Sequence, residues 1–285
     1  MLAYTSCKEA TTACIVNKYF SIAHLTKEEK TMNMHIHDCY ELYYSISGGK
    51  QFLIDNKLYT ISPGELFVIN QYETHHLTQI DQEIHERIVI SICPEFLNSL
   101  STNQTDLAYC FTNHPKSFNH KLSLSSEYQK RFLYYVNKIL SANDYGGDII
   151  EKCAFQELML FINTVYSQNI DDTLESTFQY NKQVNDILSY INNNIEHNIT
   201  IDELANHFYL STSYICRIFK ATTGTTIVKY ITARRISIAK TLLANGLNVT
   251  DTFLQCGFND YSNFVRAFTK AVGISPKKYS QLSNS

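Results

Sequence analysis

The last hundred residues of this 285-residue chain carry one pattern twice. The first unit runs from Ile201-Asp202-Glu203-Leu204-Ala205 to Tyr214-Ile215-Cys216-Arg217-Ile218-Phe219-Lys220, then Gly224 and Tyr230. The second runs from Val249-Thr250-Asp251-Thr252-Phe253 to Asn263-Phe264-Val265-Arg266-Ala267-Phe268-Thr269, then Gly273 and Tyr279. Corresponding residues stand 48 apart before the central turn and 49 apart after it, so the second unit has one extra turn residue. Each unit reads as helix, tight turn, helix. Ser211 offers an N-cap to the second helix of unit one, and Asn259-Asp260 does so in unit two. Gly224 and Gly273 fall where a helix end takes a left-handed residue. Residues 228–244 form a long connecting helix, ended by Asn245-Gly246.

One helical hairpin says little about function, because such hairpins are common in all-α folds. Two in tandem say much more. In a helix-turn-helix unit the second helix enters the major groove and offers its first residues to base edges. Ile215, Ile218 and Phe219 make the apolar face of the first such helix, leaving Ser213, Cys216 and Arg217 outward. Phe264, Ala267 and Phe268 do the same in the second, leaving Tyr261, Ser262, Asn263 and Arg266 outward. Arg217 and Arg266 occupy equivalent places. A guanidinium there can pair bidentately with guanine or hold a phosphate. Four of the six arginines, Arg217, Arg234, Arg235 and Arg266, lie in the last 105 residues.

Net charge is −3, which on its face argues against a nucleic-acid partner. The sum conceals two unlike parts. Residues 181–285 hold 11 Lys+Arg and 6 Asp+Glu, a net of +5, whereas residues 1–180 net −8. A modestly basic domain suits counterion release on DNA.

These C-terminal residues resemble the AraC/XylS family of bacterial transcription regulators. Arg234-Arg235, Ala239, Leu242-Leu243, Cys256-Gly257-Phe258-Asn259-Asp260, Ser262, Phe264, Arg266, Phe268, Gly273, Ser275-Pro276 and Tyr279 carry the resemblance. One departure is Thr252-Phe253, where the family usually has Ile-Ala. A Phe at a close helix contact is expected to overpack unless its neighbours adjust. The resemblance implies base contacts at Ser213, Cys216 and Arg217, and at Tyr261, Ser262, Asn263 and Arg266. It implies promoter DNA and RNA polymerase as partners, and activation of a nearby metabolic operon. The two units would read adjacent major grooves about 34 Å apart.

The first part of the chain has a different period. From residue 15 to about 95 it reads as strands, with β-rich runs at 41–46, 50–54, 66–69 and 84–92. Gly48-Gly49, Asp55-Asn56-Lys57 and Pro63-Gly64 punctuate them, and Asn56-Lys57 suggests a hairpin turn. Short strands at this spacing suggest a small antiparallel barrel or jelly roll. Residues 125–143 and 148–168 then read as a helical pair. The second helix is apolar around much of its circumference, which fits either a dimer contact or burial under the barrel. Residues 168–181 are polar and acidic.

His35-x-His37, Glu41 and Gly48 resemble the first cupin motif, with Pro63-Gly64 and His75 as an irregular second half. Along one strand His35, His37, Cys39, Glu41 and Tyr43 share a face. His35, His37, Glu41 and His75 could hold a divalent first-row metal. The same barrel could instead hold a small organic effector, with His35, His37, Glu41, Tyr43, His75 and Arg87 lining the pocket, or the residues could simply be core. Tyr40, Tyr44, Tyr72 and His76 are further pocket or mouth candidates, although parity puts the set on two faces.

The expected architecture is therefore two domains. Residues 1–168 form a cupin-like β-barrel with a helical pair, residues 169–181 a linker, and residues 182–285 an all-α domain with two helix-turn-helix units. The expected protein is a cytoplasmic, homodimeric, effector-responsive DNA-binding regulator rather than an enzyme. No apolar run approaches the ~20 residues of a membrane span. The N-terminus lacks a secretory pattern. The eight cysteines include no C-x-x-C pair, which fits free thiols in the cytosol. A metal-dependent cupin oxygenase or isomerase with a helical appendage is the rival, and a metal- or redox-sensing regulator the third reading.

Overall fold

The computed structural model describes residues 3–27, 34–49, 51–55, 57–71, 73–79, 84–113, 119–170 and 182–283. The N-terminal half contains α1 (Cys7–Asn17), β1 (Phe20–Lys27), β2 (Tyr40–Ser47), β3 (Gln51–Ile54), β4 (Lys57–Thr60), β5 (Glu65–Ile69), β6 (His75–Gln79) and β7 (His85–Ile92). It continues with α2 (Pro94–Leu100), α3 (Tyr109–Thr112), β8 (Lys121–Ser123), α4 (Ser126–Leu140) and α5 (Gly147–Ile170). The C-terminal half is α6 (Lys182–Asn193), α7 (Ile201–His207), α8 (Thr212–Thr223), α9 (Ile227–Ala244), α10 (Val249–Gln255), α11 (Tyr261–Val272) and α12 (Pro276–Ser283). Among the described residues no helix is long and apolar enough to cross a membrane. The acidic segment read as the linker lies, from residue 171 to 181, outside the described residues, as does Tyr72.

The strands form two antiparallel sheets, ordered β1-β7-β2-β5-β8 and β4-β3-β6. Because side chains alternate along a strand, each sheet offers one face to the space between them. Ala23, Leu25, Tyr43, Phe67, Ile69 and Val89 from the larger sheet meet Phe52, Ile54 and Leu77 from the smaller one. This is the expected cupin-like barrel. The outer face of the larger sheet is also apolar and packs on the helical pair. Tyr40, Leu42, Tyr44, Ile88 and Ile90 meet Phe132, Val136, Phe155, Leu158 and Ile162 there. Burial thus explains most of the apolar circumference of α5.

Three local readings need correction. The segment after residue 15 does not begin as strand, because α1 extends to Asn17. Its apolar periodicity is weak, and only Ala10 and Cys14 are buried. Lys57, expected in the hairpin turn, instead opens β4 and pairs with Ile54, while Asn56 lies outside the described residues. Asp55 takes the left-handed conformation that such a turn demands, with φ of 52°. Finally, the cysteines are less scattered than their spacing suggests, because Cys14, Cys39 and Cys93 share one buried cluster.

The C-terminal half reproduces the repeat element by element. Helices α7 and α10 each have 7 residues, and α8 and α11 each have 12. Ser211 and Asp260 cap α8 and α11 by accepting from Tyr214 N and Asn263 N. Gly224 and Gly273 end them at φ of 71° and 86°, where a side chain would be strained. Each unit has its own core, around Ile215, Phe219 and Tyr230 in the first. Ile236, Phe264, Phe268 and Tyr279 make the second. Helix α9 is buried along much of its length and contributes to both.

Thr252 and Phe253 do not distort the second unit. Thr252 is the fully buried residue of α10. Phe253 is half-buried at the edge of the core, its ring 5.4 Å from Tyr261 and 5.9 Å from Phe264. The larger side chain lies over the mouth of the helix pair instead of wedging it apart.

Candidate nucleic-acid interface and sensor site

The N-cap and C-cap of each recognition helix fix its register, and the buried aromatics fix its rotation. Ile215 and Phe219 turn one face of α8 inward, so Ser213 and Arg217 are exposed. Phe264 and Phe268 do the same in α11, exposing Tyr261, Ser262, Asn263 and Arg266. Cys216 is half-buried against the first core, which leaves less of it to meet a ligand. The two arginines are held differently. Arg217 lies over the Tyr214 ring at 5.3 Å, whereas Arg266 donates from Nη2 to Asn263 Oδ1. In both cases the partner sits three residues earlier, one turn back along the helix.

Arg234 and Arg235 do not share that surface. Arg235 is buried and donates to the backbone carbonyls of Ile195 (3.1 Å) and His197 (2.7 Å), fastening α9 to the end of α6. Arg234 donates from Nε to Asn192 Oδ1 at 2.8 Å and pairs through Nη1 with Asp55 of the barrel. Of the four C-terminal arginines, two face outward and two hold the protein together.

Inside the barrel the expected pocket residues divide into two groups. His35, His37, Glu41 and His75 come together, with one ligand-type atom from each lying within 4.8 Å of the others. The antiparallel bridge between His35 and His75 brings the two segments side by side. His37 donates from Nδ1 to the Cys39 carbonyl at 2.9 Å and from Nε2 to Glu41 Oε2 at 3.0 Å. Burial works against the charged form of His37. The neighbouring Cys39 sulfur and Glu41 carboxylate outweigh it and raise its pKa to about 9. Burial likewise opposes the Glu41 carboxylate, yet His75 and His37 hold its pKa well below the usual range.

The second group lies further along the same inner face. Arg87 donates to His85 Nδ1 at 3.2 Å, which leaves His85 Nε2–H to donate to Tyr43 Oη at 2.6 Å. Tyr43, His85 and Arg87 are all buried. Tyr40 and Tyr44 face the helical pair and not the barrel interior, stacking on Phe111 at 4.5 Å and against Phe132 at 4.6 Å. His76 faces outward from the barrel. Its Nε2 donates to the Thr223 carbonyl, at the end of α8, at 2.6 Å. Burial pushes its imidazolium down to about 4, so it sits there neutral.

Sequence reading missed His85, Asp55, Glu73 and His120. His120 bonds Tyr59 Oη at 2.7 Å and Glu73 Oε2 at 3.2 Å, between the two sheets. No motif marks them. For His85 the available signal was a histidine on a strand lining the barrel; Asp55, Glu73 and His120 lie outside the strands and carried none.

Two family models match the chain. One describes an AraC-like ligand binding domain and covers residues 17–158; the other describes a helix-turn-helix domain and covers residues 204–281. The HTH-type transcriptional activator RhaR of Salmonella dublin is 23% identical over 252 residues, spanning 88% of this chain and 87% of RhaR. The uncharacterized HTH-type transcriptional regulator YdiP of Escherichia coli K12 is 26% identical over 262 residues, spanning 86% of this chain and 80% of YdiP. Among solved structures, ToxT from Vibrio cholerae is 14% identical and covers 93% of this chain and 98% of its own, with a TM-score of 0.37.

Proposed function

Because this chain belongs to the AraC family, joining an AraC-like ligand-binding domain to a helix-turn-helix DNA-binding domain, we propose that it activates transcription from specific promoters in response to an effector held in its barrel. The observation that carries this reading is the pair of equivalently built units. Each presents an exposed arginine at the same place on a capped 12-residue recognition helix. Arg217 and Arg266 read base edges or hold phosphates, assisted by Ser213, Tyr261, Ser262 and Asn263. Residues 182–285 act as the DNA-binding part and residues 1–168 as the sensor. The name of RhaR, a transcriptional activator, supports activation as the sign of regulation, and an activator of promoters would take RNA polymerase as its further partner.

A homodimer accords with Ile149, Cys153 and Leu160, which stand exposed at helical spacing on α5. The protein acts where the chromosome is, in the cytoplasm. The barrel is read as a sensor and not as a catalyst, since an enzyme has no use for two groove-reading units. Selection of duplexes from a random pool by the full chain tests the proposal. The wild type should enrich one defined motif with two half-sites, and Arg217→Ala with Arg266→Ala should abolish the enrichment. A pool that stays random under the wild-type protein contradicts it.

A further inference from the structure

We propose that His35, His37, Glu41 and His75 bind a divalent first-row transition-metal ion, and that this binding sets how firmly the DNA-binding half docks on the barrel. The proposal rests on the regulator reading above; it names the ligand class and the route of its signal.

The donor set fits such an ion. Donors about 2.0–2.2 Å from a metal stand roughly 3–4 Å from one another, and these four already lie within 4.8 Å. Three imidazoles and a carboxylate suit zinc, manganese, iron, cobalt or nickel. Two of the imidazoles are oriented as ligands are. His37 and His75 each place Nδ1 on a backbone carbonyl, of Cys39 and of Glu73, at 2.9 Å. That bond fixes the ring and turns Nε2 toward Glu41, the second-shell arrangement of metal-bound histidines. His75 Nε2 is buried and has no hydrogen-bond partner among the described residues, Glu41 Oε1 standing 3.6 Å away. A buried ring nitrogen left so is costly, and a metal would satisfy it. His35 is only half-buried, so the cluster has a side near solvent.

The same two segments carry the domain boundary on their other face. His35 and His37 turn inward. Between and beside them Met34 packs on the first helix-turn-helix core, Ile36 on the second, and Asp38 pairs with Lys240. On β6, His75 turns inward while His76 bonds Thr223. Preceding it, Thr74 N donates to Asp55 Oδ1 at 3.0 Å, and Asp55 receives Arg234 on its carboxylate and Tyr230 Oη on its carbonyl at 2.9 Å. An ion that draws His35, His37 and His75 together therefore fixes the backbone from which every one of these contacts is made. The link is a contiguous set of contacts less than one strand thick.

The test uses the full chain, stripped with EDTA and titrated separately with Zn2+, Mn2+ and Ni2+. At least one should bind with a stoichiometry near one per chain, and Glu41→Gln and His75→Ala should each weaken it at least about tenfold. Binding should slow amide exchange across residues 223–240 by about fivefold or more. Asp55→Asn should keep the metal and lose that protection. Glu41→Gln preserves size, and stripped wild type needs no substitution, so misfolding of His75→Ala does not blunt the result. Absence of stoichiometric binding by all three ions overturns the site. Binding with unchanged exchange overturns the coupling. Failure of the regulator reading would look different: metal binding and protection as expected, with no duplex DNA bound in either metal state.

Discussion

Arg234 of α9 and Asp55 of the β3–β4 turn form an ion pair across the boundary between barrel and DNA-binding half. They are 179 residues apart in sequence. Both side chains are largely buried, at 16% and 19% exposure, so the pair is little weakened by solvent. Tyr230 Oη, one helical turn earlier, donates to the carbonyl of the same aspartate. Helix α9 belongs to both helix-turn-helix cores, so whatever holds Asp55 also orients both recognition helices.

Removing the arginine leaves a buried carboxylate oxygen without its cation. Arg234→Ala should lower unfolding free energy by roughly 1–3 kcal/mol, as for loss of a hydrogen bond to a charged group. Arg234→Lys should fall between, because a lysine cannot serve Asn192 and Asp55 with a planar fork. Urea unfolding of the full chain measures this, and an unchanged midpoint in Arg234→Ala would refute the clamp.

The exposed arginines should behave oppositely. Arg217→Ala and Arg266→Ala should leave stability within about 0.5 kcal/mol. Each should weaken specific DNA binding by about 1–3 kcal/mol if it reads a base. If either holds only a phosphate, the loss should be equal on all sequences and the salt slope should fall by about one. Fluorescence anisotropy at several salt concentrations separates the two roles.

Thr252 should be improvable. Its hydroxyl is fully buried, and its oxygen has no hydrogen-bond partner among the described residues. Thr252→Val keeps the shape and removes the unsatisfied group, so it should stabilise the protein by about 1 kcal/mol. A loss of stability on thermal unfolding would show that the hydroxyl is satisfied.

These contrasts show where the sequence was readable. The helix-turn-helix repeat is built from local signals: capping residues at Ser211 and Asp260, left-handed ends at Gly224 and Gly273, and apolar residues three and four apart. Such signals lie within a dozen residues of what they control, so the units were legible. The metal-type cluster was legible from its motif spacing but not from strand parity, because β2 begins only at Tyr40, residues 38–39 form a bend, and an isolated bridge to His75 places His35. The boundary between the halves was not. Arg234 and Arg235 stood in the sequence only as C-terminal arginines and as part of the family resemblance, and only their partners far along the chain reveal that they are internal. His76 was misassigned for the same reason, since parity alone does not say what lies outside a barrel. Lys57 belongs to β4 and not to the turn, and it is Asp55, next to Ile54, that carries the boundary.

The exposed stripe on α5 gives a further expectation. If the chain forms the proposed homodimer through this stripe, Leu160→Asp should convert it into a monomer without unfolding it, because Leu160 is 47% exposed in the single chain. Sedimentation velocity would show the shift, and a wild type that is monomeric at all concentrations would exclude this contact.

If two arginine-bearing recognition helices bring this chain to promoters, its footprint on the chromosome should show them. Genome-wide mapping of bound DNA in the cells that carry it is the decisive measurement. The wild type should occupy a small set of discrete sites upstream of genes, each with two half-sites about one helical turn apart, and the Arg217→Ala, Arg266→Ala double variant should lose them at equal protein level. Uniform coverage by the wild type, or the same sites kept by the double variant, would contradict the account.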